Sequence, residues 1–78
     1  MTSKSLAAAA IGDRCLLLDI RSDSPEIQSR LLSLGLIPGS TIQVMRIAPL
    51  GDPMQVKVGG STLSIRKADA DVISVEVQ

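Results

Sequence analysis

The sequence predicts a mainly β protein: a small antiparallel barrel of about five strands, with one α-helix capping a mouth and a short helix at the N-terminus. Three observations lead there. Gly59-Gly60 stands between two runs whose apolar residues alternate in step, a strong hairpin signal. The β-rich run from Thr41 to Ala48 changes its apolar phase at Met45, which predicts a bulge or a sharp bend there, as in strands of a sheet that curls into a barrel. The chain has 78 residues, a size at which folding hides only about 62 percent of the surface of the unfolded chain. Short connections and one closed sheet suit that length better than an open sheet with exposed edges, so a single domain is expected over 1–78.

The elements follow in order. Ser5 caps a short helix over Leu6 to Ile11, built on four consecutive Ala and ended by Gly12, a residue free to take the left-handed conformation. It serves as a plug over one end of the core. Cys15 to Leu18 running into Ile20 is an apolar run of strand length, read as a strand buried on both faces, with Cys15 as a small, inert hydrophobe. Asp23 or Ser24 as N-cap, Pro25 at the first helical position, Glu26 in the first turn and Gly35 as stop delimit a helix over about 24–34. Its packed face is Ile27, Leu31 and Leu34, with Leu32 beside them, the i, i+4, i+7 spacing of an amphipathic helix. Pro38-Gly39 reverses the chain. Ile42 and Val44 share one face of the next strand, Met45 and Ile47 the other.

Counted outward from Gly59-Gly60, Val58 pairs with Ser61, Val56 with Leu63 and Met54 with Ile65, which puts the apolar residues of both strands on one face. The two glycines suit a type I′ turn, which needs positive φ at both positions. A turn over Lys67 to Asp71 leads into a closing strand carrying Ile73, Val75 and Val77.

Composition excludes several functions. Eight Lys and Arg balance eight Asp and Glu, and the chain contains no His, Trp, Tyr or Phe. Nucleic acid is not expected as a partner, because both the excess of positive charge and the stacking rings are missing. Without His, and with the single Cys15, neither a triad, a dithiol nor a zinc cage can be assembled, so no catalytic residue, metal ligand or cofactor site is assigned. Asp69 and Asp71 flank Ala70 in a turn and read as solvated carboxylates. The longest apolar run has six residues, too few for a membrane span or a signal sequence. Arg14 before Cys15 does not fit a lipid-anchoring site. A soluble, cytoplasmic protein with no direct membrane insertion is expected.

Two segments exceed what a barrel requires. One is Arg30 to Gly39, joining helix to strand; the other is Ala48-Pro49-Leu50-Gly51-Asp52-Pro53. Two Pro stiffen the second and set Leu50 at its tip, held towards solvent or folded back across the barrel mouth. The plainer reading is a turn in which Asp52 bonds its own backbone.

These residues also carry a resemblance. RLLSLGLIPGSTIQV at 30–44, APLGDPMQVKVGG at 48–60, LSIRKADADVISV at 63–75 and SLAAAAIGD at 5–13 resemble, in order and over nearly the whole chain, the ferrous iron transport protein A (FeoA) family. Its Arg-Leu, Leu-Gly and Pro-Gly pattern falls on Arg30, Leu31, Leu34, Gly35, Pro38 and Gly39, and its Ala-Pro, Gly-Asp-Pro pattern on Ala48, Pro49, Gly51, Asp52 and Pro53. The all-Ala leading helix departs from the family's more polar one. The resemblance implies an SH3-like barrel and a cytoplasmic accessory role in bacterial ferrous iron uptake, beside the membrane GTPase ferrous iron transporter (FeoB-type). It does not imply an iron site, nor the peptide grip of aromatic-lined SH3 grooves.

The leading expectation is therefore a non-enzymatic module that docks on the cytoplasmic part of that transporter and modulates its assembly or activity. Arg30, Pro49, Leu50, Gly51, Asp52 and Pro53 are the candidate partner-binding residues, and Arg30, Arg46 and Arg66 the candidates for an arginine supplied to the GTPase. The alternative is a stand-alone SH3-like domain related to the C-terminal domain of metal-dependent transcriptional repressors, against which a solitary chain of this length counts.

Overall fold

In the computed structural model, which describes residues 3–78, one six-stranded antiparallel sheet curls around a single core. Its strands are β1 (Ser3–Ser5), β2 (Arg14–Ile20), β3 (Thr41–Ile47), β4 (Met54–Val58), β5 (Ser61–Ile65) and β6 (Ile73–Val77), hydrogen-bonded in the order β1-β6-β2-β3-β4-β5, so among the described residues the sheet curls without the expected closure and leaves β1 and β5 as edges. The helices are α1 (Pro25–Ser33) and α2 (Lys67–Ala70). The core gathers Leu6, Cys15, Leu17, Leu31, Leu36, Ile42, Val44, Val56, Ile65, Ile73 and Val75, drawn from every strand except β1.

The hairpin matches the expected register pair for pair: Val58 to Ser61, Val56 to Leu63, Met54 to Ile65. Its turn differs in type. Only Gly59 has positive φ, at 60°, which is the pattern of a type II′ turn rather than I′; both match the twist of the flanking strands. The phase change in β3 is a bulge. Val44 faces Val56, Arg46 faces Gln55 and Ile47 faces Met54, so Met45 is the extra residue, and Ile47 is returned to the core side.

Further expectations are corrected. There are six strands because Ser3-Lys4-Ser5 adds to β6; a polar edge strand held by backbone bonds leaves no apolar pattern to read. The N-terminal helix is a single 3-10 turn, Leu6–Ala8. Ala9 is extended, and a second turn follows in which Asp13 N–H donates to Ala10 C=O and the Asp13 carboxylate accepts from Ala10 N–H at 2.9 Å. The plugging role survives through Leu6 and Ala9, both buried. β2 is not buried on both faces: Cys15, Leu17 and Ile20 point inward, while Leu18 is exposed. A bulge between Leu17 and Asp19 keeps Ile20 inside, and a sheet curled on one core has only one inner face. Lys67 to Ala70 is a helical turn rather than an irregular one.

A last correction is in α1. Its start is as expected, with Ser24 Oγ accepting from Ile27 N–H at 3.4 Å and Pro25 in the first turn. At its end Leu36 N–H donates to Leu31 C=O and Gly35 N–H to Leu32 C=O, with Gly35 at φ 90°. That is the paired 6→1 and 5→2 pattern of a Schellman stop, which brings the residue after the glycine back onto the helix's last inward residue. Leu36 is accordingly buried against Leu31, and Leu34 is exposed. Ile27 packs at the core margin as expected.

Candidate docking site

β3 and β4 are joined by the segment the sequence marks as unusual. Gly51 N–H donates to Ala48 C=O at 2.8 Å and closes a four-residue turn with Pro49 and Leu50 at its centre. Pro is favoured at the second position of a type II turn, and the third takes φ near +80° and ψ near 0°, a place usually held by Gly or Asn. Leu50 occupies it, at φ 73° and ψ 5°. Its side chain is 100% exposed. An L-residue in the left-handed region costs about 1–2 kcal/mol, and leaving a Leu outside forgoes about 1.5–3 kcal/mol of burial. Both terms oppose Leu at this position in the isolated chain.

The loop under that tip is braced. Ala48 N–H donates to Pro53 C=O at 3.0 Å across its base. Asp52 does not bond its own backbone, as the plainer reading had it; its Oδ1 accepts from the N–H of Lys67 at 3.0 Å. That N–H is in the first turn of α2, where helix donors have no partner of their own, and Arg66 at the cap contributes no side-chain bond. Leu50 is thus held towards solvent rather than folded over the mouth. A shallow concavity of about 210 Å³ beside it is lined by Arg46, Ala48, Pro49, Pro53 and Gln55.

Arg30 lies on α1, away in sequence, and its Nη2 donates to Asp69 Oδ1 at 2.6 Å. Asp52 and Arg30 therefore both end on α2, which ties the loop and the helix to one short element. Sequence reasoning missed that role for α2, whose residues Lys67-Ala68-Asp69-Ala70 it reads as part of a turn. The Arg30 side chain keeps 57% of its exposure, so the pair is a surface bridge worth about 0–1 kcal/mol. Arg46 and Arg66 are also exposed, on the strand before the loop and at the start of α2.

The donor chemistry for a metal is thin. Among the described residues no group of three or more His, Cys, Asp or Glu gathers at one place, and Asp69 is engaged by Arg30. Cys15 is buried, and its thiol pKa is pushed up by that burial first and by the nearby Asp13 carboxylate second, with Lys4 opposing. Such a thiol is protonated at neutral pH, a poor ligand and a poor nucleophile. Among the described residues, no helix is long and apolar enough to cross a membrane.

The family model described as FeoA domain matches residues 4–77. A relative from Porphyromonas gingivalis, an Fe(2+) transport protein A/Fe(2+) transporter FeoB fusion protein, is 32% identical over 66 residues, or 85% of this chain; the chain spans 8% of that relative's length. The crystal structure of an iron uptake regulatory protein (FeoA) superposes with a TM-score of 0.87 at 29% identity, with 100% of both chains covered. A manganese-dependent transcriptional repressor in complex with manganese superposes with a TM-score of 0.92 over 100% of this chain and 38% of its own, at 20% identity. That last likeness is one of fold.

Proposed function

This chain belongs to the FeoA family, whose place is in ferrous iron transport, and on that premise we propose that it is a non-enzymatic, cytoplasmic docking module for a FeoB-type membrane GTPase transporter, engaging it through the Pro49–Pro53 loop and modulating its assembly or activity. One observation carries the reading: a fully exposed Leu50 held at positive φ by a braced turn. Backbone strain of this kind persists where surrounding structure over-determines it, and such places cluster at ligand clamps and binding sites. A preset apolar tip loses little conformational freedom on binding, and the concavity beside it offers a matching seat for a partner side chain.

The fusion relative supports the choice of partner, since it holds an Fe(2+) transport protein A and an Fe(2+) transporter in one chain. A covalent link keeps two modules at high effective concentration, an arrangement that suits partners meant to meet. Arg30, whose side chain remains more than half exposed beside Asp69, is the secondary candidate on the docking surface. The barrel shared with metal-dependent repressors is at 20% identity a likeness of fold, and folds of this kind host unrelated functions.

The direct test is retention of the transporter, from detergent-solubilised membranes, on the immobilised chain with GTP, GDP or no nucleotide. Specific retention is expected; none in any nucleotide state would reject the docking reading. A second expectation separates an adaptor from an iron carrier. Anaerobic calorimetric titration with ferrous iron should show no stoichiometric site of about micromolar or better affinity, because imidazole is absent and carboxylates are scattered. A tight site would replace the adaptor by a carrier or sensor.

A further inference from the structure

The sheet ends in two open edges, β1 and β5, and they differ in kind. β1 is three residues long with Lys4 at its centre, which is how natural edges are usually blunted. β5, Ser61–Ile65, has no charged residue and no Pro, and its ladder with β4 runs without a bulge. It therefore lacks the charge, the proline and the bulge that commonly guard an edge against pairing with another strand.

Its free groups have a definite arrangement. Val58 and Ser61 close the two-residue hairpin as a hydrogen-bonded pair, so bonded pairs recur at Val56–Leu63 and Met54–Ile65, since the two kinds of pair alternate along an antiparallel ladder. The N–H and C=O of Thr62 and Ser64 consequently point away from β4. Both residues are exposed, and none of the turn, loop or cap hydrogen bonds among the described residues uses these groups.

We propose that β5 is a self-pairing edge through which a second copy of this chain adds antiparallel about a two-fold axis at Leu63, making one continuous sheet across the dimer. A two-fold axis at Leu63 maps the free groups of Thr62 and Ser64 onto each other, so a second copy satisfies all of them with the same four groups. With the axis at Leu63, Thr62 falls opposite Ser64 of the second copy and Ser64 opposite its Thr62. Each pair exchanges two backbone hydrogen bonds, four in all. Leu63 belongs to the inward phase yet is only half-buried. It meets the second copy's Leu63 at the unbonded position, where facing side chains come closest. Arg66 falls opposite Gly60, so no like charges are stacked across the join, and a formal net charge of zero adds no repulsion between copies. The inference does not rest on the docking loop.

Sedimentation equilibrium of the full chain from about 1 μM to about 1 mM covers the range of a weak four-bond association. A monomer–dimer equilibrium is expected. The double variant Thr62→Lys/Ser64→Lys changes two exposed side chains and sets lysines opposite lysines, so its dimer should dissociate at least about tenfold more readily, with an unchanged melting temperature. Ser64→Pro, which removes an outward N–H and leaves the β4 ladder intact, should act in the same direction. In a Leu63→Cys variant, mild oxidation should give a covalent dimer through position 63, since the native Cys15 is buried. A chain that stays monomeric to about 1 mM overturns the proposal, even if the amide protons of Thr62 and Ser64 become protected when the transporter is added, which would assign the edge to that partner. A dimer indifferent to the double lysine variant overturns it equally, by placing the interface elsewhere.

Discussion

Replacing Leu50 by Glu should abolish retention of the FeoB-type transporter while leaving the chain's stability within about 1 kcal/mol of the parent, as for other surface changes. Leu50 is 100% exposed, so the folded chain loses no packing when the side chain changes. A central interface anchor, by contrast, costs about 2 kcal/mol or more when removed, roughly a thirtyfold loss of affinity. The new carboxylate, next but one to Asp52, adds a charge to be stripped of water on docking. Leu50→Asn separates the side chain from the turn. Asn accepts the left-handed region more readily than Leu, so this variant should be as stable as the parent or slightly more so and should still fail to bind. If both variants fold and bind normally, the docking surface lies elsewhere on the barrel. If Leu50→Asn binds and Leu50→Glu does not, charge rather than apolar contact governs the site.

A second large effect is expected at the end of α1. Leu36→Ala should cost about 2–5 kcal/mol, the range for removing a fully buried Leu where the surroundings close only partly. Against a total of about 4–12 kcal/mol for a chain of this length, that is a large share. The melting temperature should fall by at least about 8 °C, since each kcal/mol shifts it by about 4–8 °C in so small a domain. Leu34→Ala, two residues earlier, should cost less than about 1 kcal/mol, because Leu34 is exposed. The pair can be compared in one set of urea or thermal unfolding curves. Equal losses at the two positions would mean that the Schellman stop does not seat Leu36 in the core.

The contrast between Leu34 and Leu36 shows where helical periodicity stops being informative. Ile27, Leu31 and Leu34 fit one face at 3.6 residues per turn, but the period applies only while the chain stays helical. The bond from Leu36 N–H to Leu31 C=O ends the helix and folds the next residue onto the same face. The signals were present, with Gly35 followed by an apolar residue, yet their consequence is a matter of three-dimensional geometry. The same holds for Leu18. The apolar run Cys15 to Leu18 is compatible with burial on both faces, and only the bulge at Leu18 and the single inner face of a curled sheet expose it.

Of the candidate docking residues, Pro49, Leu50, Gly51, Asp52 and Pro53 were legible as an exceptional loop, because Pro and Gly restrict backbone torsions through local sterics that any reader of the chain can apply. That Leu50 stands at positive φ with its side chain wholly in solvent was not legible, nor that Asp52 and Arg30 both end on α2.

What the amino-acid sequence determined by itself was whatever depends on residues close along the chain: the register of the Gly59-Gly60 hairpin, the bulge at Met45 and the start of α1 at Ser24-Pro25. The tertiary structure alone decided what depends on residues distant along the chain. The Asp52–Lys67 and Arg30–Asp69 contacts join segments 15 and 39 residues apart, and β1 finds β6 from the opposite end of the molecule. The physical reason is that torsional preferences and apolar periodicity act over a few residues. Which surfaces meet is set by one shared core, whose closure no single segment encodes.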